Sequence, residues 1–254
     1  MGLFDFLKGK SKLEDAPVKT NTARPECDIS KTQLIVDLCK IPAGERDDQW
    51  KQQFYEHVQT ASFACGNPQV INGPDGFPYF VLHTPEPNKP FESFCIRNMK
   101  DDLLLAKGVG VVINPKENAV DWVFSYGDIV NLHLNNEFYS KKIDVELPAE
   151  ETIRKEEKVL IAQPSESYLP AQARQVLRTF LQSVGVKRPK ILMVCRNIGG
   201  EVVQELAFNV FREDVPSAEH LNYHLQRISW FLPRHYVVLS LPMSSNFSEH
   251  FADL

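Results

Sequence analysis

Cys195 and His235 are the residue types of a thiol nucleophile and its base, and each belongs to an apolar stretch that reads as a strand. A sheet bringing them together would serve a thiol-dependent hydrolase. Against this, Cys195 closes the run Ile191-Leu192-Met193-Val194, and a cysteine so placed ordinarily packs as a small hydrophobe. Cys65, before Gly66, is the more accessible thiol by context and reads as a residue at a helix end. His220 and His224 stand four apart on a predicted helix and share a face, as two metal ligands would. The residues between them, Leu221-Asn222-Tyr223, are not those of a zinc protease helix, and no third ligand is identifiable, so no metal is expected. Asn197-Ile198-Gly199-Gly200 lacks the Lys-Ser/Thr and the following helix of a phosphate loop and reads as a hairpin turn. Asp47-Asp48 and Asp101-Asp102 fall at predicted helix starts, where carboxylates complement the helix dipole. No catalytic motif and no cofactor motif emerges, and the chain reads as a non-enzyme.

The unusual surface candidate is aromatic. Phe77, Tyr79, Phe80 and His83 precede a stretch with three prolines between 85 and 90, and Phe91 and Phe94 follow it. Aromatic side chains around a proline-rich loop can build a contact surface for another protein, or can pack the loop onto its own fold. These six residues are the candidate binding site.

Composition narrows the partners. A net charge of −5 with 24% charged residues gives no basic face, so nucleic acid is not expected. The 43% hydrophobic content is enough for a sizeable core. Five widely spaced cysteines with no Cys-x-x-Cys fit reduced thiols in a cytoplasmic protein better than a disulfide framework. The opening Leu3, Phe4, Phe6 and Leu7, followed by Lys8, Lys10 and Lys12, could touch an anionic lipid surface, but about two turns bury too little for stable membrane association.

The elements that must position these residues fall into two groups. Residues 1–30 read as a flexible peptide and linker, 31–145 as a first α+β domain, 146–157 as an acidic linker and 158–254 as a second domain. In the first, helices are predicted over 32–40, 46–63 and 99–107, and strands at 70–71, 79–84, 91–97, 109–113 and 119–124, with Val120, Trp122 and Phe124 on one face. Residues 65–68 read as the stop after the second helix. In the second domain, apolar runs at 158–163, 190–195, 201–211 and 235–241 alternate with amphipathic helices over 168–184 and 217–232. That βαββαβ order predicts a ferredoxin-like, split βαβ sandwich with both helices on one sheet face.

Two signatures carry a resemblance. Gly108-Val109-Gly110-Val111-Val112-Ile113-Asn114-Pro115, followed by Trp122 and Gly127-Asp128-Ile129, resembles the N-terminal domain of the bacterial SseB-like ("enhanced serine sensitivity") proteins. Val159-Leu160-Ile161-Ala162-Gln163-Pro164, then Leu169-Pro170 and an amphipathic helix, resembles the start of their C-terminal domain. The pattern departs over 77–98, and residues 20–44 look like an addition. The resemblance implies a two-domain cytoplasmic protein without established enzymatic chemistry, linked to serine tolerance, and it brings no functional residues. The function expected is therefore binding or regulation, with another protein or a small metabolite as partner. A small-molecule (amino-acid) sensor is the second expectation and a thiol hydrolase the third.

Overall fold

The computed structural model describes residues 26–117, 119–140, 159–198, 201–243 and 246–254. The expected linkers before residue 26 and over 146–157 lie outside the described residues. The described chain is mixed α+β, with two mixed sheets and six α-helices among the described residues. None of these helices is long and apolar enough to cross a membrane.

The first half opens with α1 (Ile29–Cys39), which starts earlier than its apolar spacing suggests because the Asp28 carboxylate accepts from the Ser30 amide at 2.9 Å. Helix α2 (Asp48–Val58) is capped in the same way: Asp47 accepts from the Trp50 amide at 2.7 Å. Its stripe of Trp50, Phe54 and Val58 is buried, and the Trp50 indole donates to the Leu38 carbonyl at 2.9 Å, pinning α2 to α1. Residues 65–68 are not a stop but belong to β1 (Ala64–Asn72). Pro68 is tolerated there because β1 is an edge strand, and the register slips between Cys65 and Val70.

Strand β1 pairs antiparallel with β2 (Pro78–His83), which pairs parallel with β3 (Gly110–Ile113), which pairs antiparallel with β4 (Trp122–Phe124). The central β2 and β3 are buried on both faces, which is why they read as continuous apolar runs. Between them the expected strand at 91–97 is reduced to one bridge. The backbone of Phe94 exchanges two hydrogen bonds with Phe63, and the chain then turns into α3 (Ile96–Met99), which continues as a π-helical turn over Lys100–Leu105. Val120 is 46% exposed and does not share the face of Trp122 and Phe124. Helix α4 (Tyr126–Asn135) begins in a capping box: Ser125 and Asp128 satisfy one another's amides at 3.2 and 2.8 Å.

The second half contains the expected elements in the expected order: β5 (Leu160–Ala162), α5 (Ala171–Ser183), β6 (Lys190–Ile198), β7 (Glu201–Phe208), α6 (Ala218–Ser229) and β8 (Val237–Leu239). The strand order is β5-β6-β7-β8, with a short β9 (Ala252–Asp253) also pairing with β6. Strands joined by a helix thus lie side by side, β5 antiparallel to β6 and β7 parallel to β8. This differs from the split order expected of a ferredoxin-like sandwich. The long β6–β7 hairpin has two free edges, and the order of elements does not say which edge each three-residue strand takes. Both helices nevertheless serve one face. Ala173, Leu177, Phe180 and Leu181 of α5 and Leu221 and Ile228 of α6 share a buried cluster with Ile191, Met193, Leu206 and Phe208. The other face, Leu192, Val194 and Ala207, is covered by Leu241 and Phe251.

That larger cluster continues without a break into the first half. The join is made where α6 ends against the start of α4. The Gly127 amide donates to the Trp230 carbonyl at 3.0 Å, and a Cβ on Gly127 would stand 1.9 Å from the Leu232 carbonyl oxygen. The fully buried Asp128 carboxylate accepts both Arg234 Nε at 2.9 Å and Nη2 at 3.0 Å. Beside it, Phe77 stacks on Trp230 at 4.2 Å and 6°. Gly108, at φ +70°, caps the preceding helical turn and lets Val176 of α5 approach to 2.6 Å of where a Cβ would be.

Because the atoms facing Gly127 are backbone and cannot rotate away, Gly127→Ala is expected to destabilise the chain by about 3 kcal/mol, the scale of an overpacked core. In thermal denaturation this is a fall in Tm on the order of 10 °C. Gly44→Ala, with nothing within 4 Å of the new methyl, is the control and leaves Tm unchanged or slightly higher.

Candidate functional site

The six aromatic and histidine candidates do not form one surface. Phe77, Tyr79 and Phe80 are 4%, 6% and 3% exposed, so they are not available to a partner. Tyr79 and Phe80 sit on the buried strand β2 and Phe77 just before it, and Phe77 and Tyr79 meet the end of α6: Tyr79 donates its hydroxyl to Asp75 at 2.5 Å and accepts from the Trp230 indole at 2.8 Å. Burial, then the bond to Asp75, pushes the Tyr79 phenol far above its ordinary range, so it stays protonated. His83 is half-buried at the end of β2, and Phe94 is half-buried against the core. Phe91 alone is clearly exposed, at 37%.

The nucleophile candidates are not assembled either. Cys195 lies opposite Gln204 of β7, and β7 separates its strand from the turn of His235, whose ring rests on Tyr236. Burial and the nearby Glu205 push the Cys195 thiol up. Burial also raises Cys65, brings Cys39 to about 11 and, with Cys27 beside it, brings Cys95 to about 12. A thiolate nucleophile needs the opposite shift. His220 is engaged in capping α6, its Nδ1 2.8 Å from Ser217 Oγ. Among the described residues no group of three or more His, Cys, Asp or Glu could hold a metal ion. Asp47 is the α2 cap. Against the upward push of burial, hydrogen bonds from Lys100 and His133 hold the Asp101 carboxyl below its ordinary value. Gly199 and Gly200 of the hairpin turn lie outside the described residues.

A site with room for a ligand lies elsewhere, in the second half. A cleft of about 680 Å³ opens between the turn after α5, the end of β7, the middle of α6 and the C-terminal stretch. Its volume is that of a small-molecule site. Val186, Val210, Phe211 and Phe251 give it apolar walls, and Val210 and Phe251 are buried. Lys187, Lys190 and His224 bring polar groups to the same space, with Asp214 also on its lining.

Local chemistry fixes the walls. Gly185 takes φ +102° to end α5, and Val186 then donates back to the Leu181 carbonyl at 3.0 Å. The Asn209 side chain bridges two backbone groups, accepting from the Lys190 amide at 2.7 Å and donating to the Arg188 carbonyl at 2.9 Å. Arg188 grips Asp253 through two hydrogen bonds at 3.0 and 2.9 Å, tying β9 to the turn and holding that carboxyl below its usual range. Ser217 caps α6, which carries His224 into the cleft. Burial, then Arg227 and His220, push the His224 imidazole down, so it is neutral at pH 7 and able to donate and accept.

Of these residues the sequence singles out only His224, as a possible metal ligand with His220, because no motif joins the others. The available signal was Val186-Lys187-Arg188-Pro189-Lys190, three cations in four residues between a helix and a strand of an otherwise acidic chain.

At pH 7.5, Cys39 and Cys95 are expected to react with iodoacetamide on the order of 100-fold more slowly than free cysteine, since so little thiolate is present. Peptide mapping of the alkylated chain reads this out, and fast labelling of Cys195 in the same experiment would restore it as a nucleophile. Comparison of the chain with protein-family models, with curated proteins and with solved structures finds no match.

Proposed function

We propose that this chain is a non-enzymatic, cytoplasmic binding or regulatory protein that takes a small metabolite in the cleft beside α6. The observation that carries the reading is the cleft itself: apolar walls, a few converging polar groups and a volume suited to a small molecule. The aromatic surface first considered for a partner protein gives no support, since its central residues are committed to the chain's own interior.

An SseB-like relationship remains part of the proposal. It is supported by the order helix, apolar strand, Asn114-Pro115 turn, strand and short helix in the first half, and by Pro164 and Leu169-Pro170 leading into α5 in the second. A regulatory role is supported by position. Helix α6 lines the cleft through His224 and ends at the junction with α4, so one rigid element touches both places.

A thermal-shift screen against small metabolites, amino acids included, tests this. A ligand at 100 times its Kd adds about 2.7 kcal/mol, a rise in Tm of several degrees. Met243→Trp, which places an indole on the exposed rim of the cleft, is expected to abolish the shift while leaving the unliganded Tm unchanged. Silence across the screen at millimolar ligand, or shifts indifferent to Met243→Trp, would remove the proposal.

A further inference from the structure

We infer that the cleft selects an organic monocarboxylate, its apolar body against Val186, Val210, Phe211 and Phe251 and its carboxylate toward Lys187 and Lys190. The inference rests on the reading of this cleft as the ligand seat and adds the chemical class of ligand.

The charges around the cleft separate into committed and uncommitted ones. Arg188 is committed, since both of its hydrogen bonds to Asp253 hold the edge of the sheet. Lys187 and Lys190 form no ion pair among the described residues, although Lys190 adds a longer-range pull on Asp253. Lysine carries its full charge at neutral pH as a compact ammonium with three donors, suited to a carboxylate. These cations stand in a chain of net charge −5, so the positive lining is a local departure from the whole. Asp214 on the lining sets the limit: a ligand with two or more negative charges would meet a fixed carboxylate. That repulsion grows with each negative charge, so a single carboxylate meets the lysines at the smallest cost.

The walls supply the other half of the selection. Val210 and Phe251 are 6% and 7% exposed, so they form a firm apolar surface rather than a mobile one. An aryl or alkyl group laid against this wall packs closely there, and it removes apolar area from water mainly at the half-buried Val186 and Phe211. The neutral His224 imidazole faces the same space and can donate to a carboxylate oxygen without adding charge.

Calorimetric titration of the full chain with 3-phenylpropionate, 3-phenylpropionamide and 3-phenylpropylamine tests the class, because the three share one apolar body and differ in head charge. The acid is expected to bind at least 10-fold more tightly than the amide, the amine not measurably, and the preference to shrink as salt is raised. Lys187 is exposed, so its replacement leaves folding intact. Lys187→Glu is expected to lower acid affinity at least 10-fold without changing amide affinity, and Lys187→Arg to restore it. Equal binding of acid and amide overturns the carboxylate inference while leaving the cleft a ligand site. Binding of none of the three, when the metabolite screen gives a cleft-dependent hit, overturns the ligand class alone. Silence in both experiments removes the functional reading beneath it.

Discussion

The last carbonyls of α6 lie against the first amides of α4, and the rest of the structure is arranged around that meeting. A helix starts with amides that have no partner within it and ends with carbonyls in the same condition. Here one end supplies the other: the Gly127 amide, in the first turn of α4, donates to the carbonyl of Trp230, the C-cap of α6. The approach is possible only because residue 127 has no side chain. Asp128 then serves twice, closing the capping box with Ser125 and holding Arg234 through both of its oxygens. The energy of association comes mainly from the aromatic surface beside it. Phe77 and Phe231 are almost fully buried and each contributes about 1.5–3 kcal/mol, with the half-buried Trp230 stacked on Phe77, whereas a charged hydrogen bond to the half-exposed Arg234 contributes less after screening. The polar contacts decide where the halves sit, and the rings supply much of the reason that they stay there.

Local periodicity made the helices and most strands of the second half legible, because the α5 and α6 stripes are long and each ends at an unambiguous signal, Gly185 or Pro233. The sheet order was not legible. A three-residue strand such as β5 or β8 has little pattern of its own, and either edge of the β6–β7 hairpin could accept it. The same limit explains the aromatic residues at β2. The sequence shows that Phe77 and Tyr79 are large and apolar; it does not show that Trp230, more than 150 positions away, covers them. The apolar spacing over 91–97 predicts a strand, but the backbone of Phe94 pairs with Phe63 in a single bridge and the chain turns into α3 two residues on.

The cleft was hidden for a related reason. Its cations are neighbours in sequence, but its apolar walls come from the end of β7 and from the C-terminal stretch, which no local window joins to residues 187–190. Helices α5 and α6 cover one face of the sheet and Leu241 and Phe251 the other, and the cleft lies where the turn after α5 leads into β6 and β7 ends, with His224 of α6 and Phe251 both on its lining. The Asn209 bridge and the Arg188–Asp253 pair hold that turn in place, so its shape does not wait on a ligand.

The amide of Gly127 has one further property. Its hydrogen is held by an oxygen from the far end of the chain, not by the helix to which it belongs. Solvent deuterium can replace it only when the two halves come apart there, whether or not either half has unravelled. That one backbone position is therefore a built-in clock for separation, and where it runs faster than the amides inside either half the chain opens like a hinge and does not melt as a whole.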